Sequence, residues 1–168
     1  MTIFTEFSAV TNAIPDPTAL EGRPFPLGAT PLDEETVNFA VSSQYAESVT
    51  LSLFADPSMP WRETHRLELK GRRGDTRFIA LQGILEGTRY GFRAQGPWEP
   101  AQGHFFNEEK ILLDPYAKHI DGPSRYYASM KAIHADRSPN HADSAFHAPL
   151  AFVPNPTIYD WGGDSLPR

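Results

Sequence analysis

Five short stretches of this chain alternate apolar and polar residues with a period of two, and turn residues separate them. Val37, Phe39 and Val41 share one face, with Asn38, Ala40 and Ser42 on the other. Val49, Leu51 and Leu53 repeat the pattern within 48–55, and Leu67 and Leu69 within 64–70. Phe78 and Ala80, or Ile79 and Leu81, give a fourth stretch; Tyr90, Phe92 and Ala94 give a fifth. The breaks fall at Asp56-Pro57, at 71–75 and at 83–87, each carrying Gly or Pro. A period of two places alternate side chains on opposite faces of a strand. Short strands joined by regular turn signals predict an antiparallel sandwich, because one apolar face per strand needs a second sheet to cover it.

The chain has 168 residues, enough for one sandwich of about 100 residues with flanking segments and too few for a (β/α)8 barrel of about 250. The expected fold is therefore all-β: an immunoglobulin-like antiparallel β-sandwich over 22–118, preceded by a flexible lead-in over 1–21. The alternation dissolves after Lys118, so 119–168 is expected to be an irregular, loop-rich C-terminal extension. Sixteen prolines, about twice ordinary usage, argue for turns and against long helices.

Charge and composition exclude several functions. The net charge is −6, and the densest basic cluster, Lys70, Arg72 and Arg73 beside Gly71 and Gly74, reads as a hairpin tip. Nucleic acid and anionic membranes are not expected partners. There is no cysteine, hence no disulfide, thiol nucleophile or Cys-based zinc site. The first residues, MTIFTEFSAVTNAIPDP, lack the basic start and long apolar stretch of a secretory signal, and no apolar run approaches about 20 residues. A soluble cytoplasmic protein without a cofactor is the expectation.

Three further segments carry a resemblance. Residues 87–118 read GTRYGFRAQGPWEPAQGHFFNEEKILLDPYAK, residues 21–30 read EGRPFPLGAT, and residues 159–168 read YDWGGDSLPR. Together they resemble the N-terminal β-sandwich of bacterial glycogen debranching enzymes and isoamylases, which is carbohydrate-binding module family 48 of the α-amylase superfamily (glycoside hydrolase family 13). The resemblance implies a non-catalytic domain that braces a catalytic (β/α)8 barrel, in cis or in trans, and meets an α-glucan such as glycogen or amylopectin. It also implies that His104, Phe106, Asn107, Lys110, Asp114, Tyr116 and Lys118, with Tyr159 and Trp161, pack between domains. The chain departs from the family pattern at Thr76 and Arg77, where glucan-binding members carry a tryptophan, and in two smaller ways: Phe105 stands where arginine is usual, and Glu108 where proline is usual.

The residues themselves offer little catalysis. Glu34-Glu35 and Glu108-Glu109 are adjacent carboxylate pairs, but neighbours in an extended chain point to opposite faces. Retaining glycoside hydrolysis needs two carboxyls about 5–5.5 Å apart on a rigid frame. His134, His141 and His147 lack a metal-ligand spacing. Asp114, ahead of Pro115, suits turn hydrogen bonding. Sugar rings stack on aromatic faces, and Trp61 and Trp98, both in Pro-bounded loops, are the candidate platforms, with Tyr126 and Tyr127 behind them. A free-standing glycogen- or starch-binding module and a protein-interaction sandwich with no carbohydrate role remain as alternatives.

Overall fold

The computed structural model describes residues 16–122 and 125–155. Residues 1–15 of the expected flexible lead-in over 1–21, and the family-like residues 159–168, including Tyr159 and Trp161, lie outside the described residues.

Two antiparallel sheets pack face to face. The first has the order β1 (Thr18–Leu20), β7 (Thr76–Gln82), β3 (Thr36–Ser42) and β2 (Gly28–Pro31), with β6 (Gly71–Arg73) also pairing with β7. The second has the order β11 (Ile120–Asp121), β12 (Leu150–Phe152), β8 (Arg89–Gln95), β4 (Ser48–Phe54) and β5 (His65–Glu68). A small hairpin, β9 (Trp98–Glu99) with β10 (His104–Phe105), stands apart. The immunoglobulin-like sandwich is thus the observed fold.

The alternation of the sequence sets the register. Val37 faces Leu81 and Phe39 faces Ile79 across β3–β7; Leu51 faces Phe92 and Leu53 faces Tyr90 across β4–β8. All eight side chains belong to one buried core, where the Phe39 ring meets the Tyr90 ring edge-on at 5.1 Å. The predicted basic hairpin tip is the β6–β7 turn, where Gly74 takes a φ of 59°, the left-handed region that suits glycine.

Three strands lie outside 22–118. β1 pairs with β7, so Thr18–Leu20 is ordered strand and no part of a free lead-in. β12 pairs with β8 at Ala151–Tyr90 and Phe152–Arg89, and β11 pairs with β12. Ala151 and Val153 enter the main core. These strands escape a periodicity reading because each is three residues long or shorter, and β12 is bounded by Pro149 and Pro154. The 111–113 run, which begins like a buried strand, makes only a single bridge, Leu112 to Phe92. There Gly91 lets the chain approach: a Cβ on it would lie 2.6 Å from the Ile111 side chain.

Candidate functional site

The outer face of the β4–β8 ladder is covered rather than solvated. Ser52, Arg93 and Phe54 point away from the core by alternation, and all three are buried. What covers them is 107–114 together with 125–149. Arg93 is the hub, with its side chain 2% exposed. Its Nε donates to Glu63 at 3.0 Å and to Ser52 Oγ at 3.3 Å, and its Nη1 donates to the Glu108 carbonyl at 2.9 Å. Its Nη2 reaches Glu63 at 3.0 Å and Asp143 at 2.9 Å. Arg66 adds a second cation, 2.7 Å from Glu63 and 3.2 Å from Asp143. Burial pushes both carboxyls up, but hydrogen bonds outweigh it: Arg66, Arg93 and Ser52 at Glu63, and the Ala145 N–H with Arg93 at Asp143. Both carboxyls end below the ordinary carboxylate range.

Polar side chains from 107–114 fasten the rest of the cover. Asn107 Nδ2 donates to the carbonyls of Ala132 and Asn140 at 3.1 and 3.0 Å. Lys110 donates to the Ser129 carbonyl at 2.9 Å and to the Ala142 carbonyl, and burial lowers its pKa. Asn140 Nδ2 binds the carbonyls of Ala128 and Lys131, and Ser144 Oγ accepts the Ile111 N–H at 2.7 Å. Among the described residues, no buried side-chain nitrogen or oxygen lacks a partner.

A groove opens where this cover meets the β4–β5 loop. Its volume is about 380 Å³, and Trp61, Tyr127, Phe146 and His147 line it together with Arg89 and Asp121. Trp61 is 48% exposed and Phe146 63% exposed, and their rings meet edge-on at 5.8 Å. His147 stacks on Tyr127 at 4.1 Å and shares a 3.0 Å hydrogen bond with Ser129 Oγ. Arg89 pairs with Asp121 at 3.0 Å while its guanidinium lies 4.7 Å from the centre of the Phe152 ring. Aromatic faces beside a fixed cation–carboxylate pair suit a neutral polyhydroxylated ligand: C–H faces stack on the rings and hydroxyls find both donors and acceptors.

Comparison with known proteins fits this architecture. The model of carbohydrate-binding module 48, the isoamylase N-terminal domain, matches residues 26–117. The chain belongs to carbohydrate-binding module family 48. The module is 41% identical over 147 residues to the glycogen debranching enzymes of Salmonella typhi and Salmonella choleraesuis, covering 88% of this chain. It spans 21% of the length of those relatives. Among solved structures, it resembles the catalytic module of the multi-modular glycogen-degrading pneumococcal virulence factor SpuA, with a TM-score of 0.53 and 21% identity, covering 81% of this chain and 17% of that one. At that identity the likeness speaks to the fold alone.

The remaining sequence-predicted residues scatter over the module. Trp98 is not near Trp61. The β4–β8 register sets Phe54 beside Arg89 at one end and Ser48 beside Gln95 at the other; Trp61 follows the first end and Trp98 the second. Trp98 packs edge-on against Phe105 at 5.9 Å and lines a separate groove with Phe106, Glu109 and His141. Phe105, the residue that replaces arginine, is thus a packing partner for Trp98. Lys110 and Asp114 are buried inside the module, and Asn107 is held by it. Asp114 makes the expected turn bond, accepting the Tyr116 N–H at 2.8 Å, and also accepts the Tyr90 hydroxyl at 2.5 Å. That buried carboxylate helps hold the Tyr90 hydroxyl well above the ordinary tyrosine value, second to burial itself. Tyr116 and Lys118 are exposed, and His104 lies against Tyr45 at 4.6 Å between ring centres. Among the described residues, no group of three or more His, Asp or Glu side chains could hold a metal ion.

Reading the sequence alone misses Phe146, Arg89 and Asp121. Phe146 sits in a run of small and polar residues, and Arg89 and Asp121 look like solvated charges. Trp61, Tyr127 and Phe146 meet only because the 125–149 segment folds back over the sheet.

Proposed function

We propose that this module is the non-catalytic N-terminal β-sandwich of a glycogen debranching enzyme of the isoamylase-like, α-1,6-glucosidic kind. It braces a catalytic (β/α)8 barrel and contacts α-glucan through the Trp61 groove. The observation that carries the reading is the match to the debranching enzymes, which takes in 88% of this chain but 21% of theirs. A module of that share supplies support and contact, and leaves bond cleavage to the rest of the enzyme. The face for the barrel is the one around His104, Phe105, Phe106 and Leu112. These residues line a mostly carbon-walled hollow of about 250 Å³. Tyr116 and Lys118 extend that face, and Asn107, Lys110 and Asp114 stiffen it from behind. Trp98 provides a second aromatic contact at the same end of the sheet.

One observation favours direct glucan binding as well: the exposed rings of Trp61 and Phe146 lie beside the Arg89–Asp121 pair in one groove. The test is native affinity electrophoresis of the chain with and without glycogen. We expect glycogen to retard the chain, and Trp61→Ala to abolish the retardation. A folded chain that glycogen does not slow rules out the glucan contact and leaves bracing. Bracing is tested separately by adding the chain to the barrel region of a Salmonella relative stripped of its own sandwich. An unchanged barrel melting temperature would reject it.

A further inference from the structure

Half of the Trp61 groove is not built on the sandwich at all. Tyr127, Phe146 and His147 come from the 125–149 segment, which has no strand of its own until β12. Something must hold that segment at a fixed distance from the tryptophan, because an aromatic platform that drifts loses its preorganisation.

We propose that Asp143 is the positioning residue of the groove: by closing on Arg93 and Arg66 it seats Phe146 against Trp61. The inference rests on the reading of the groove as a glucan contact. Its geometry is local and directional. Asp143 Oδ1 accepts the Ala145 N–H at 2.8 Å, an Asx-type turn that starts the bend carrying Phe146. The same oxygen takes Arg93 Nη2 at 2.9 Å, and the other oxygen takes Arg66 at 3.2 Å. One residue on, the Ser144 N–H donates to the Glu109 carbonyl at 3.0 Å, and the Ser144 carbonyl accepts the His147 and Ala148 N–H groups at 2.9 and 2.8 Å. The bend therefore has a charged anchor at Asp143 and neutral anchors at Ser144, whose Oγ also accepts the Ile111 N–H. Only the charged one reaches the loop that carries the tryptophan, because Arg93 and Arg66, which hold Asp143, also hold Glu63, two residues after Trp61. Asp143 thus ties both walls of the groove to the same arginine.

The ligand class follows. A groove whose neighbouring charges already neutralise one another, Arg89 with Asp121 and the Glu63 and Asp143 carboxylates with Arg93 and Arg66, presents aromatic faces and hydrogen-bonding groups without net charge. That selects an uncharged polyol chain over a phosphorylated or uronic one.

The experiment uses the full chain and two independent readouts. In a background with Trp98→Phe and Trp161→Phe, Trp61 is the sole indole. We expect Asp143→Ala to leave the far-UV spectrum intact and to raise acrylamide quenching of Trp61 about twofold, as local opening bares the ring. With the natural tryptophans, we expect Asp143→Ala to weaken glycogen affinity about tenfold through lost preorganisation, and Asp143→Glu to restore part of it. Should Asp143→Ala fail to fold, Asp143→Asn removes the charge while keeping an acceptor for Ala145, and carries the same expectations. Quenching unchanged in a folded Asp143 variant overturns the proposal, as does full glycogen affinity in that variant. A natural chain that glycogen does not retard overturns the glucan reading alone, and the quenching readout still decides whether Asp143 positions the groove.

Discussion

On the inner side of the β4–β8 ladder, Leu51, Leu53, Tyr90 and Phe92 close on the apolar residues of the facing sheet. On the outer side of the same ladder, Ser52 and Arg93 close on carboxylates and carbonyls delivered by 107–114 and 125–149. Both sides are buried, and by different chemistry. The inner contact is non-directional and roughly proportional to area, so it is strong and tolerant of small shifts. The outer contact is directional: each charge must find its partner or bear the cost of leaving water. The first builds the fold, and the second decides how a flexible-looking segment lies on it and hence where Phe146 meets Trp61.

The largest effect should come from the inner side. Leu53 is wholly buried in the main core, opposite Tyr90. Leu53→Ala removes its methyl groups and leaves a cavity, for a cost of about 2–5 kcal/mol. We expect urea unfolding followed by near-UV and far-UV signals to shift together to lower midpoint, because the core is shared by both sheets. Separate transitions would show that the two sheets do not melt as one unit.

This contrast also explains what can be read in the sequence. The inner faces were legible because alternation at Val37, Phe39, Leu51, Leu53, Tyr90 and Phe92 is itself the folding signal. The outer cover was not. The resemblance implies that Asn107 and Lys110 pack between domains, and nothing in a single chain reveals that their partners, like those of Asn140, are backbone carbonyls within 128–142, or that Asp143 meets Arg93 and Arg66. Arg93, at an outward position of a strand, likewise reads as solvated; its burial depends on Glu63 and Asp143 arriving from two different loops. Trp61 was legible as a candidate because tryptophan in a Pro-bounded loop is unusual, whereas the rings that complete its groove are far away along the chain. Trp98 carried the same signal but is set by the sheet register at the opposite end, so the two do not form one platform.

A smaller and more local effect should follow from breaking the outer side. Arg93→Met keeps much of the side-chain volume and removes the charge that Glu63 and Asp143 face. Glu63 and Asp143 are partly exposed and can turn toward water, so we expect a loss of about 1–3 kcal/mol, the range for stranding hydrogen-bonding groups, and less than for a wholly buried pair. Hydrogen exchange separates this from the Leu53 change. Amides of Ser144, His147 and Ala148 should lose protection in Arg93→Met while those of Leu51 and Leu53 keep it. Equal loss at both would show that the outer cover is part of the core's cooperative unit and not a layer upon it.

The mildest way to separate the two sides is acid. Glu63 and Asp143 both have carboxyls held below the ordinary range in the folded chain. A depressed carboxyl contributes stability that is present above its unfolded pKa and is lost as pH falls through its folded value. The window therefore opens near pH 4 and extends downward. The charges that face the two carboxyls are Arg93 and Arg66, with Lys110 and Glu109 close by. Once the carboxyls are protonated, three cations are left crowded together, which favours opening of the cover. The members of the inner core are apolar, apart from the Tyr90 hydroxyl, which is held well above the ordinary tyrosine value. Lowering the pH from 7 to 3 should therefore raise acrylamide quenching of Trp61 while the far-UV spectrum stays constant, and Asp143→Asn should flatten that pH profile. Exposed Asp143 is screened by solvent, so the step should be small and should shrink further in high salt. A far-UV change that accompanies the Trp61 change would instead mean that the charged layer and the apolar core give way together.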